Sequence, residues 1–134
     1  DFGERLDLMF VNIDQILTDS KDLENVVDQY VNTSNVLYSK FQFMKFVERQ
    51  ISVRPQKCVE WMSKIISRIK TFNDYYAIGK WIDLLMSAYN SIREYNRDDF
   101  YIEKTMDIFD SVLKNSQTRP MLRSHMNKLD ECGG

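Results

Sequence analysis

The strongest constraint on this chain is the recurrence of large apolar residues at three- and four-residue spacing in five stretches: 4–18, 36–52, 56–70, 75–96 and 99–115. At about 100° per residue, such spacing lines one side of an α-helix, and that side must be buried against another element. A strand-rich alternative lacks turn chemistry, because the 134 residues include four Gly and two Pro, with Gly133 and Gly134 at the very end. The expected fold is all-α: a compact bundle of five to six helices forming a single domain over 1–134. A short helical-repeat segment is the alternative, although no internal sequence repeat is visible. The first residue is not Met, so a fragment of a longer chain or a processed chain is expected.

Within the first stretch, Leu6, Met9, Phe10, Ile13, Ile16 and Leu17 predict one inward face, while Leu8 and Val11 point away from it and call for a second partner surface. Ser20, followed by Asp22 and Glu24, predicts a capped helix start with acids in its first turn. Asn32, Thr33, Ser34 and Asn35 are poor helix formers and predict an interruption there. In 36–52, Leu37, Phe41, Met44, Val47 and Ile51 mark one face and leave Phe43 and Phe46 pointing elsewhere. Either this helix is buried on several sides, or the two Phe side chains form an aromatic anchor for another chain.

Pro55 suits the first turn of a new helix and disfavours a helical Arg54, with Ser52 a possible cap. The following stretch separates Cys58, Val59, Met62, Ile65, Ile66 and Ile69 inside from Lys57, Glu60, Lys64 and Arg68 outside, with Trp61 at the boundary. Stretch 75–96 is expected to be the central helix, with Ile78, Trp81, Ile82, Leu85, Ala88, Tyr89, Ile92 and Tyr95 inward. Stretch 99–115 turns Tyr101, Ile102, Met106, Phe109, Val112 and Leu113 inward, and Met121, Leu122, Met126 and Leu129 suggest a last, docked helix.

Catalytic hardware is sparse. His125 is the sole histidine, Cys58 and Cys132 lack metal-ligand spacing, and the glycines cannot assemble a phosphate-cradling loop. The acids of 98–110 read as a solvated face. The expectation is therefore a non-enzyme with no cofactor or metal. No apolar run is long enough to span a bilayer, and a reduced, buried Cys58 suggests an intracellular, reducing compartment such as cytoplasm or nucleus.

Charge is organised in blocks: residues 1–30 carry eight acids and two bases, and residues 31–70 carry two acids and eight bases. These blocks can pair with each other, or the basic one can meet an external anion. The functional expectation is a helical protein–protein interaction domain of adaptor, scaffold or regulatory type, binding another protein or a second copy of itself. Its surface would be an apolar groove or aromatic patch with a basic rim, built from Leu8, Val11, Phe43, Phe46, Lys57, Lys64 and Arg68. The alternative is a nucleic-acid or anionic surface binder using the basic 40–70 block, which the sequence pI of about 5.4 does not favour.

Overall fold

The computed structural model describes residues 7–32, 41–68, 75–115 and 119. The described residues form an all-α bundle of six helices: α1 (Ile13–Ile16), α2 (Ser20–Asn32), α3 (Phe41–Gln50), α4 (Pro55–Ile66), α5 (Tyr75–Ser91) and α6 (Asp99–Lys114). A short 3-10 turn, Met9–Val11, precedes α1, and a π-helical turn, Ile92–Asn96, extends α5. One apolar core runs through all six helices, from Phe10 to Val112. The predicted last helix and most of the Asn32–Asn35 interruption lie outside the described residues.

The N-terminal stretch is not the single helix its periodicity predicts. Asn12 adopts φ −145° and ψ 21°, separating the 3-10 turn from α1. The apolar face is therefore not continuous: Phe10 and Ile13 are buried, whereas Ile16, expected inside, is exposed. For α2 the cap is Asp19 rather than Ser20, since the Asp22 amide donates to Asp19 Oδ1 at 2.9 Å and satisfies one of the four free N–H groups at a helix start. Leu23, Val27, Tyr30 and Val31 then give α2 one buried stripe.

Helix α3 is buried on more than one side, the first of the two outcomes its pattern allows: Val47 and Ile51 of the expected face are inside. Phe43 and Phe46 are fully buried and Met44 only partly so. The cause is tertiary: Phe10 lies edge-on to Phe43 at 4.7 Å, Phe43 meets Trp81 at 5.8 Å, and Phe46 meets Trp61 at 6.1 Å. These rings come from three other parts of the chain and together fill the side of α3 that its own periodicity leaves unassigned. Phe43 and Phe46 are thus core residues, not anchors presented to a partner.

At the α3–α4 junction, Pro55 occupies the first turn of α4, where its missing N–H has no intrahelical partner to lose. Arg54, rather than Ser52, stands at the cap position, with the non-helical φ −142° and ψ 67° that a following proline imposes. Helix α4 buries its predicted inward residues Cys58, Val59, Met62, Ile65 and Ile66, and Trp61 is buried with them. Apolar surroundings push the Cys58 thiol up to about 12, so it stays protonated at neutral pH.

Helix α5 is the central helix. Ala77, Ile78, Trp81, Ile82, Leu84, Leu85, Met86, Ala88 and Tyr89 are all buried, more than one face can supply. Its end departs from the α pattern, because Arg97 N donates to Ile92 O, five residues back, at 2.6 Å. Arg97 itself is left-handed, with φ 49° and ψ 42°, which costs a non-glycine residue about 1–2 kcal/mol. This wider turn swings Tyr95, expected inside, out to 76% exposure. Helix α6 packs Phe109 against Tyr89 at 6.3 Å and buries Val112 and Thr105, whose hydroxyl returns to the Tyr101 carbonyl at 2.8 Å. It ends at Asn115, as the sequence predicts.

Candidate interaction surface

Residues 7–14 run alongside α3 and are fastened to it at both ends. At the start, the nearly buried Asp7 carboxylate accepts the Phe43 amide at 3.0 Å and the Gln42 amide at 3.2 Å. These are unpaired donors of the first turn of α3, so Asp7 caps a helix that begins 34 residues later. At the far end, Arg49 forks onto Asp14, with Nε to Oδ2 at 3.2 Å and Nη2 to Oδ1 at 3.1 Å, and Nη2 also reaches the Phe10 carbonyl at 2.9 Å. Gln50 Nε2 adds a bond to Asp14 Oδ2 at 3.2 Å. A planar guanidinium matched to a carboxylate through two bonds fixes orientation as well as distance.

With Phe10 and Ile13 sealed inside, this double attachment leaves the other side of the segment in solvent: Leu8 is 61% exposed, Val11 48% and Ile16 69%. Leu8 and Val11, both expected as partner residues, therefore lie where a partner can reach them. Ile16, two residues beyond Asp14, is exposed as well, and Arg49 also reaches the Val11 carbonyl at 3.5 Å. Sequence reasoning missed Ile16 because the break at Asn12 is not a periodicity signal. Two aromatics are also exposed, Tyr95 within the π-helical turn and Phe100 (67% exposed) in the first turn of α6.

The basic residues have a different role from the one that an exposed patch requires. Three acids of the first block meet three bases of the second: Asp14 with Arg49 at 3.1 Å, Glu24 with Arg54 at 3.4 Å and Asp28 with Lys57 at 3.0 Å. Lys57 also meets Glu60 at 3.5 Å, and Arg68 donates to the Val31 carbonyl. Lys64 is exposed, with Asp28 near enough to feel its charge. Complementarity between the blocks thus joins α3 to α1 through Arg49 and the start of α4 to α2 through Arg54 and Lys57, and Arg68 is turned toward α2 as well.

Asp28 is the hub of this contact. Its Oδ1 accepts Trp61 Nε1 at 2.8 Å, satisfying the polar atom of a fully buried indole, while Oδ2 accepts Lys57. Glu60 continues the chain by accepting the Tyr101 hydroxyl at 2.6 Å, which links α4 to α6 and raises the phenol to about 12. Burial works to raise the Asp28 carboxyl, but hydrogen bonds from Trp61 and Lys57 and the charges of Lys57 and Lys64 outweigh it, holding the group below its ordinary value of 3.8. At Asp14 the Arg49 hydrogen bond is the main cause of a shift in the same direction.

Carboxyls depressed in the folded state contribute stability that is complete above their unfolded value and is lost as pH falls through the folded one. We expect the urea midpoint to drop as pH is lowered below about 4, and the Asp14→Asn/Asp28→Asn pair to be weaker at pH 7 with a flatter acid limb. An equally steep limb in the variant would show that these two carboxylates do not set the acid sensitivity.

Among the described residues, no group of three or more His, Cys, Asp or Glu side chains could hold a metal ion, and no helix is long and apolar enough to cross a membrane. His125 and Cys132 lie outside the described residues. Set against known proteins, the chain matches no family model, no curated protein and no solved structure.

Proposed function

We propose that this chain is a non-enzymatic helical interaction domain of adaptor or scaffold type, binding a protein partner through Leu8, Val11 and Ile16. One observation carries the reading: the segment bearing Leu8 and Val11 is pinned by Asp7 at one end and Asp14 at the other, so large apolar groups are presented to water on a prearranged support, with the exposed Ile16 two residues further on. Prearrangement lowers the ordering cost of association, and exposed apolar side chains supply its driving force. The fitting partner carries an apolar stripe of its own, and a second copy of this chain is one such partner. The basic 40–70 block is the weaker reading, because Arg49, Arg54 and Lys57 already serve internal acids.

The test compares the full chain with Leu8→Asp/Val11→Asp and with Lys64→Glu. Circular dichroism should be the same for all three, since the substituted side chains lie outside the core. Sedimentation velocity reads self-association, and affinity capture from native extract at matched loading reads other partners. The apolar double variant should lose association or retention of a discrete stoichiometric species by about tenfold or more, while Lys64→Glu retains it. Equal retention by the double variant would refute the assignment. Salt-sensitive binding to duplex DNA that Lys64→Glu abolishes would transfer the function to the basic surface.

A further inference from the structure

Residues 7–14 are held by contacts of the kind that hold a bound peptide. Phe10, with no exposed surface, fills a socket of three rings: Tyr30 of α2 and Phe43 of α3 stand 4.7 Å away and Phe46 stands 5.2 Å away. On either side of this anchor an acid is received by fixed donors. The Asp7 carboxylate accepts the amides of Gln42 and Phe43, and Asp14 meets the Arg49 guanidinium, which itself lies 5.7 Å over the Phe46 ring. Ile13 adds a second buried apolar group. Socket, amides and guanidinium all come from α2 and α3, so the site is complete without the segment that occupies it.

The segment's own hold on its shape is short and local. It consists of a three-residue 3-10 turn and a four-residue helix divided at Asn12, lengths at which helical hydrogen bonds alone do not persist in water. Beyond it the chain is extended at Leu17, with φ −96° and ψ 92°, and α2 starts from its own cap, Asp19. Release of residues 7–16 therefore vacates the socket and leaves the start of α2 capped.

We infer that this face of α2 and α3 is a peptide-binding site with residues 7–14 as its built-in occupant, and that it takes from a partner protein a segment of the same chemistry. The pattern is an acid, a Phe three residues on, an Ile three further and an acid directly after it, because those are the groups that the site receives. Leu8 and Val11 point to solvent and are not part of it, so this site does not rest on the outward surface proposed above. A tethered segment competes at an effective concentration on the order of millimolar, so a partner segment binds only weakly while residues 7–14 stay docked. Their detachment opens the site.

The probe is a fluorescein-labelled peptide of residues 7–16, titrated by fluorescence polarisation against the full chain. Asp7→Ala/Phe10→Ala/Asp14→Ala removes the occupant's contacts without changing the site, and should bind the peptide at least about tenfold more tightly than the unmodified chain. Asp14→Ala alone, which keeps Phe10 in the core, should fall between the two. In the released chain, Arg49→Asp should weaken binding by about tenfold, and a peptide carrying Asp14→Arg should recover it. A Phe10→Ala peptide should bind at least about tenfold more weakly, whereas a Leu8→Asp/Val11→Asp peptide should bind as well as the parent. Because an empty socket also weakens the fold, the urea midpoint of the released chain is read with and without peptide, and it should rise when peptide is added. Absence of both binding and that rise would overturn the inference, as would binding indifferent to Phe10 and Arg49. An Asp14→Ala chain that dimerises in sedimentation velocity, and whose dimer the peptide dissolves, would overturn the partner assignment in favour of exchange between two copies.

Discussion

Phe43→Ala is expected to destabilise this protein by about 3–5 kcal/mol, the range for emptying a fully buried aromatic site. Phe43 lies at the meeting point of Phe10, Tyr30, Phe46 and Trp81, with ring centroids at 4.7, 4.8, 6.2 and 5.8 Å. Its removal therefore takes away apolar burial and four ring contacts, and the surrounding rigid rings cannot collapse into the space. Against a typical total of about 5–15 kcal/mol, such a loss brings the chain close to unfolding. The check is a urea titration followed by tryptophan fluorescence, with Phe43→Leu as the milder companion. An unchanged midpoint with lost partner binding would restore Phe43 to the surface.

Asp7→Ala is the second large effect. It strips the acceptor from two amides at the start of α3 and detaches one end of the segment that carries Leu8 and Val11. Loss of a cap costs about 0.5–2 kcal/mol, and a buried amide left without a partner adds about 1–3 kcal/mol, so a loss of about 2–4 kcal/mol is expected. Asp7→Asn retains a side-chain oxygen acceptor and should recover most of it. Hydrogen exchange offers the local readout: the amides of Gln42 and Phe43 should lose protection in Asp7→Ala and keep it in Asp7→Asn. If both variants are equally stable, the contact does not hold the segment. If both are equally weak, the negative charge rather than the acceptor is what matters.

Periodicity made the inward faces of α4 and α6 legible, because each of these helices places most of its apolar residues on one side. Pro55 announced the start of α4 through chemistry that acts within two residues. The candidate surface was half legible: Leu8 and Val11 stood out because they oppose the apolar face of their own stretch. Ile16 did not, since its exposure depends on the break at Asn12. Phe43 and Phe46 stayed open between core and anchor for the converse reason. They look surplus only while Phe10, Trp61 and Trp81 are absent from view. Tyr95 was misplaced because a regular helical count cannot anticipate a wider turn.

The sequence by itself therefore determined the helical class, the centrality of α5 and the opposed charge of the first two blocks, all properties of local spacing and composition. Only the tertiary structure decided that Asp7 caps α3, that Asp28 serves both Trp61 and Lys57, and that the N-terminal apolar groups divide between core and solvent. Those outcomes join residues about 30 or more positions apart in the chain. Hydrogen bonding and apolar burial select partners by proximity in space, and the folded chain alone creates that proximity.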